Sequence, residues 1–249
     1  MRITILTLFP EMFEGFLNTS IIARAIKKEQ VVIETVNFRD YTLNKHRKVD
    51  DYPYGGAPGL VLMVQPLADA IKALRTERCR VIMITPEGKP FVQEKAREMA
   101  FSEEYDHYIL ICGHYEGFDG RIDHYIDEKI SIGDYILTGG EIPAMAITDA
   151  IVRLLPGVIR KSSSNDESFE DGLLECPQYT MPEVYDGYRV PEILLSGHHA
   201  KIRRWRLKES LRRTKNERPD LLENRRMRDE EIQLLDEILI EEKNGSEEK

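Results

Sequence analysis

ISIGDYILTGGEIPAM, residues 130–145, begins as an apolar strand, breaks at Thr138-Gly139-Gly140, and restarts as a helix at Glu141-Ile142-Pro143. A strand, a glycine turn and a helix N-terminus in that order are parts from which α/β proteins build ligand sites. The stretch carries neither G-x-G-x-x-G nor G-K-[ST], so it is neither a dinucleotide fingerprint nor a P-loop. Outward from it the same texture recurs. Apolar, β-branched runs lie at 2–8, 31–36, 81–85, 108–112 and 130–137, and helix-like stretches at 66–76, 91–102 and 141–155 separate several of them. Continuous rather than alternating apolar strands, interleaved with helices, predict an α/β fold with a parallel sheet covered on both faces. Pro90 and Pro143 suit first-turn positions of the second and third helices, and Pro156-Gly157 ends the third.

The chain is long enough at 249 residues for one large domain or two unequal ones. After residue 159 the texture changes. RKSSSNDESFEDG, 160–172, is polar and without periodicity, which predicts a flexible linker between an α/β domain over 1–159 and a smaller domain over 173–249. The latter starts with Pro/Tyr-rich irregular segments, then shows helices at about 198–214 and 228–242 and an acidic tail. Cys79, Cys112 and Cys176 are odd in number and form no CxxC, so neither a disulfide framework nor a zinc site is expected, and a reducing cytoplasm is the natural compartment. The N-terminal apolar run is too short for a signal peptide, and no segment is long and apolar enough to span a bilayer. His198 and His199 have no carboxylate or cysteine cluster at ligand spacing, so no metal is expected there.

Net charge is −9, which argues against indiscriminate nucleic-acid binding, but the charge is unevenly placed. Residues 201–218 hold nine Lys/Arg against two Glu, a local +7, and residues 229–249 hold nine acids against two lysines, a local −7. Such asymmetry is a cue for a polyanionic partner.

Three strand ends are rich in glycine or turn residues: Thr85-Pro86-Glu87-Gly88, Gly113-His114-Tyr115-Glu116-Gly117 and Leu137-Thr138-Gly139-Gly140. Glycine there lets backbone groups approach a planar ligand, so together they predict an adenine- or nucleoside-type pocket. The long connection NKHRKVDDYPYGGAPGLVL, 44–62, reads equally as a solvated loop or as a ligand-covering one.

ICGHYEGFDGR (111–121), ISIGDYILTGGEIPAM (130–145), LLPGVI (154–159), ESFEDGLLECPQYTMPEVY (167–185) and LLSGHHAKIRRWRLKESLRRT (194–214) resemble the bacterial tRNA (guanine-N1)-methyltransferases of the SPOUT superfamily. TLFPEMF (7–13), RDYT (39–42) and VDDYPYGG (49–56) are also similar, so the likeness runs in order over almost the whole chain. It implies an enzyme that uses S-adenosyl-L-methionine to methylate N1 of the guanosine just 3′ of the anticodon in tRNA. It also implies a parallel-sheet SPOUT domain with a deep trefoil knot at the cofactor pocket. Connectivity rules alone predict an unknotted doubly wound sheet.

By resemblance the cofactor is held by Ile84, Pro86 and Gly88, by Gly113, Tyr115, Glu116 and Gly117, and by Ile132, Gly133, Asp134, Tyr135, Ile136, Leu137, Gly139 and Gly140. For Tyr135 and Ile136 strand alternation offers a second reading, with side chains directed into the core. The family's general base is an aspartate directly before a Ser-Phe pair. Here Glu167 occupies that slot and Asp166 precedes it, which leaves either as the acceptor of the N1 proton. Arg153 matches an arginine beside the reacting base, although Asp149 four residues earlier makes a helical ion pair the bland alternative. His114 stands where arginine is common in the family.

Asp50, in the loop with Lys45–Lys48, is expected to accept hydrogen bonds from the guanine edge. On a helical wheel Lys201, Arg204, Lys208, Arg212 and Lys215 fall on one stripe, away from Ile202 and Trp205, and read as a phosphate track for the anticodon stem-loop. The family works as a homodimer, with the linker and C-terminal domain of one chain completing the site of the other. The competing reading is a non-catalytic RNA-binding protein on the same fold, which the changed acid at 166–167 allows.

Overall fold

The structure is a computed structural model that describes residues 1–159, 168, 169, 171–223 and 225–247. The chain divides into two compact units, Met1–Arg160 and Lys161–Lys249.

In the first unit the chain runs β1 (Arg2–Thr7), α1 (Glu14–Leu17), α2 (Ser20–Lys27), β2 (Val32–Asn37), β3 (Asp50–Asp51), β4 (Val61–Leu62) and α3 (Val64–Leu74). It continues through β5 (Cys79–Pro90), α4 (Gln93–Ala100), β6 (His107–Ile111), β7 (Glu128–Ser131) and α5 (Glu141–Val152). Five strands form one sheet in the order β2-β1-β6-β5-β7, with every neighbouring pair parallel. Side chains alternate between its two faces. Ile3, Ile5, Ile82, Ile84, Tyr108 and Leu110 pack with α2, α4 and α5, whereas Leu6, Val81, Met83, Ile109 and Ile111 pack with α3 and Phe38. Both faces are therefore covered, which is why the strands read as continuous apolar runs.

Two strands differ from their predicted spans, and both differences shape the ligand edge. The expected strand over 130–137 stops at Ser131, because Gly133 adopts φ +149°, where L side chains are strained, and its N–H bonds the Ser131 hydroxyl at 3.2 Å. Tyr135 and Ile136 are consequently 54% and 80% exposed, so neither turns into the core as strand alternation would have it. β5 instead runs past 85 to Pro90, but Ile84 and Lys89 both pair with Ile130, so residues 85–88 bulge out of register. Gly88 re-enters so close to β7 that a Cβ would lie 2.4 Å from the Ile130 backbone. Gly140 makes an equivalent approach, its would-be Cβ 2.6 Å from Cys112 Cα. Glycine is dictated there by backbone against backbone.

In the second unit α6 (His199–Glu217) and α7 (Asp229–Glu247) pack through Leu207, Leu211, Leu234 and Ile238, with Leu173 beneath. Both helices extend past their predicted ends. A two-stranded ribbon, β8 (Val184–Tyr185) with β9 (Tyr188–Arg189), occupies part of the Pro/Tyr-rich segment. The tail of the expected linker is anchored here: the Ser168 hydroxyl accepts from Glu175 N–H at 2.9 Å, and Phe169 N–H donates to Leu173 O at 2.8 Å. Glu231, fully buried, closes the unit by taking bidentate contacts from Arg225 at 2.9 Å and further bonds from Arg228. Burial pushes its carboxyl up, but the two guanidiniums outweigh this and hold it down at about 2.

Gly140→Ala is expected to cost about 1–3 kcal/mol by forcing the turn off β6, whereas Gly120→Ala, with nothing within 4 Å of its Cβ, stays within about 0.5 kcal/mol of wild type in thermal unfolding. Because Glu231 is depressed from 4.5 to about 2, its contribution is complete above pH 4.5 and disappears as pH falls to about 2. Glu231→Gln should therefore lower stability by about 3 kcal/mol at neutral pH and by almost nothing near pH 2, read from unfolding of the full chain across that range.

Candidate functional site

The three strand-end turns converge on one cleft of about 430 Å³ at the C-terminal edge of the sheet. Of the residues expected to hold a cofactor, Ile84, Pro86, Gly113, Tyr115, Glu116, Gly117, Ile132, Gly133, Tyr135, Ile136, Leu137, Gly139 and Gly140 line it. Gly88 and Asp134 are not among the lining residues. Gly88 faces β7 instead, as described above. Lining residues that the sequence did not single out as ligands are Thr85, His114, Phe118, Ser131, Thr138 and Pro143.

The turns are tied to one another by backbone. Gly140 N–H donates to Gly113 O at 2.9 Å, and His114 pairs with Gly139 in an isolated antiparallel bridge. Loop 44–62 is stitched to the second turn as well: Leu62 N–H reaches Gly117 O at 2.9 Å, and Glu116 N–H reaches Leu60 O at 3.0 Å. Val49 is fully buried, whereas Asn44–Arg47 and the tip around Tyr52 and Tyr54, at 77% and 102% exposure, project into solvent. One end of the loop is thus held against the second turn rather than being a free solvated segment. It carries Asp50, whose carboxylate neighbours the Tyr115 hydroxyl. Burial first and that carboxylate second push the phenol up. Beneath the cleft, full burial and then the nearby Glu141 charge push the Cys112 thiol well up, so it is inert as a nucleophile at neutral pH.

Arg153 does not line the cleft. It forms the C-cap of α5, with its N–H bonded to Asp149 O, some 18 Å along the axis from the residue that opens the helix at 1.5 Å per residue. Asp166 and Glu167 lie outside the described residues.

The basic stripe of α6 meets acids rather than open solvent. Arg204 pairs with Glu237 at 2.5 Å, Lys208 with Glu237 at 2.9 Å and Glu241 at 2.7 Å, Arg212 with Glu241 at 2.6 Å, and Lys215 with Glu242 at 2.6 Å. The Arg204 and Lys208 hydrogen bonds hold Glu237 at about 2, so it stays ionised at any working pH. Lys201 is exposed at the start of the helix. A second cavity, of about 1120 Å³ and wholly within this unit, lies on another face of α6. Arg203, Trp205, Arg206 and His199 line it with Tyr179, whose ring centroid is 6.4 Å from that of Trp205. Among the described residues neither Arg203 nor Arg206 makes an ion pair.

Comparison with known proteins agrees along the chain. The family model tRNA (Guanine-1)-methyltransferase TrmD matches residues 1–224. A Staphylococcus carnosus protein named tRNA (guanine-N(1)-)-methyltransferase is 57% identical over 225 residues, covering 89% of this chain and 91% of its own. One of the same name from Staphylococcus haemolyticus is 56% identical, covering 90% and 91%, and one from Staphylococcus aureus is 53% identical, covering 98% and 100%. With that match over the glycine turns, the cleft they enclose and the basic helical unit alike, the chain belongs to the tRNA (guanine-1)-methyltransferase TrmD family.

Proposed function

We propose that the protein methylates N1 of the guanosine just 3′ of the anticodon in tRNA, using S-adenosyl-L-methionine, in the cytoplasm and as a homodimer with active sites shared between subunits. The observation that carries this reading is the cleft, where turns from three strand ends enclose about 430 Å³ in a chain of this family. That volume lies within the range of small-molecule sites. Ile84, Ile132, Leu137 and Pro143 supply apolar lining, Tyr115 an aromatic edge, and the turns backbone donors and acceptors. This combination suits a flat adenine with a polar rim. The deep trefoil knot belongs to the same proposal; support comes from the backbone contacts of Gly88 with Ile130 and Gly140 with Cys112, which crowd three chain segments into one place.

Bound there, S-adenosyl-L-methionine supplies an electrophilic methyl carbon. This chain's residues do the rest. Guanine N1 must lose its proton to become nucleophilic, and Asp166 or Glu167 accepts it. Negative charge then spreads to O6, where Arg153 compensates it. Asp50 at the cleft's rim accepts from the guanine N2 amino group, which adenine lacks. Arg153 and the cleft lie at opposite ends of α5, which favours assembly of the reacting groups across two chains.

For RNA, the stripe that reads as a phosphate track must compete with Glu237, Glu241 and Glu242. Arg203 and Arg206 make no ion pair among the described residues, and although Asp171, Glu183 and Glu230 also line their cavity, it sets cations next to aromatic rings, the pairing that single-stranded loops favour. It is the better candidate for the anticodon loop.

Incubated with tritium-methyl donor, tRNA transcripts with G at the target should take up label and those with A should not; tight RNA binding without label would instead leave the non-catalytic reading. Asp166→Ala and Glu167→Ala, assayed in single turnover, should separate the base from its neighbour, one falling by roughly 100- to 10,000-fold. Unchanged rates in both would remove the base from this segment. Arg203→Ala with Arg206→Ala should weaken tRNA binding and reduce its salt slope by about 2, while Arg204→Ala leaves the slope nearly unchanged.

A further inference from the structure

A buried carboxylate beneath the cleft has no part in the chemistry above. Glu141, the first residue of α5, is 1% exposed. Its Oε1 accepts from the Thr7 hydroxyl at 2.6 Å, and His114 Nε2 lies 2.8 Å from both carboxylate oxygens. The Thr7 hydroxyl also accepts from Phe9 N–H at 2.9 Å, so its one proton is committed to Glu141. A single side chain therefore ties together the end of β1, the 113–117 turn and the start of α5. Space is closed on the remaining side. A Cβ at Gly139 would sit 2.3 Å from His114 Cε1 and 2.5 Å from a Glu141 oxygen, and the Phe9 ring meets His114 edge-on at 4.8 Å.

An isolated buried carboxylate is costly, and an apolar residue of similar size would serve packing at least as well. What charge adds is direction. A single His114 N–H shared between the two carboxylate oxygens orients the ring, and His114 lines the cleft while bridging Gly139. We propose that Glu141 is a positioning residue which, through His114, holds the 113–117 and 137–140 turns at the separation the cofactor needs before it binds. This inference rests on the cleft being the S-adenosyl-L-methionine site.

Calorimetric titration of the full chain with S-adenosyl-L-methionine tests it, with Glu141→Gln, His114→Gln and the double variant beside wild type. Each single change should weaken cofactor binding at least 10-fold, and the double no further, because both remove one interaction. Affinity for tRNA should be unmoved, and amide exchange without ligand should quicken in 113–117 and 137–140 but not in β2. His114→Arg should keep cofactor affinity within about threefold of wild type, since an N–H donor again meets the carboxylate. Should Glu141→Gln not fold, Thr7→Val removes the other donor at nearly constant shape and is held to the same expectation. A folded Glu141→Gln or Thr7→Val that binds cofactor like wild type overturns the proposal, and so does a variant losing tRNA and cofactor affinity in parallel with its melting temperature. Wild type that binds no S-adenosyl-L-methionine would sink the cleft reading itself.

Discussion

Backbone meets backbone at the C-terminal edge of the sheet, and the ligand site depends on that contact. Gly88 lies on Ile130 and Gly140 on Cys112 with no space for a side chain between them. Such contacts fix the turns relative to β6, the buried central strand, and β7 at the edge of the sheet. A pocket between turns held this way exists before its ligand arrives, so little binding energy is lost to ordering loops. The bulge at 85–88 and the early stop of β7 follow from the same geometry, since both strands must leave the sheet to let a third segment in.

Charge in the second unit follows a different rule. One stripe of α6 faces acids of α7, and Arg204, Lys208, Arg212 and Lys215 are paired there with Glu237, Glu241 and Glu242. Exposed pairs of this kind contribute about 0–1 kcal/mol each, so the unit's stability comes from Leu211, Leu234 and Ile238, with the Arg225–Glu231–Arg228 cluster. Affinity for a polyanion then turns on cations that the protein leaves without an internal acid. Arg203 and Arg206 meet that condition where Arg204 and Lys208 do not.

Periodicity located all five sheet strands and the long helices, because a doubly covered sheet demands continuous apolar runs and amphipathic cover. Boundaries set by single-residue conformations escaped it: nothing in ISIGDYIL announces that Gly133 will leave the sheet. The glycine turns were legible as the walls of a cleft, whereas Gly88 lies against the Ile130 backbone and does not line it, a close approach that sequence alone does not distinguish. A helical wheel placed Lys201, Arg204, Lys208, Arg212 and Lys215 on one stripe, but an isolated wheel cannot tell solvent from an acidic partner helix. Glu141 was invisible for a related reason. A carboxylate at a helix start is so ordinary an N-terminal residue that its burial beneath Thr7 and His114 appears only in three dimensions.

The carboxylates around the cleft differ in how they are held. Glu116 lies over Gly59, where a Cβ would meet its Oε1 at 2.6 Å. Asp50 is taken up by the Tyr115 hydroxyl, and Glu141 is sealed beneath by Thr7 and His114. Glu141 is thus sealed from a purine and Asp50 already has a neighbour, whereas Glu116 is exposed at the cleft. The remaining acids with the right sequence context, Asp166 and Glu167, directly precede Ser168, whose hydroxyl is anchored in the second unit. In the proposed homodimer, a second copy would present one of those acids to the cleft of the chain that binds the cofactor.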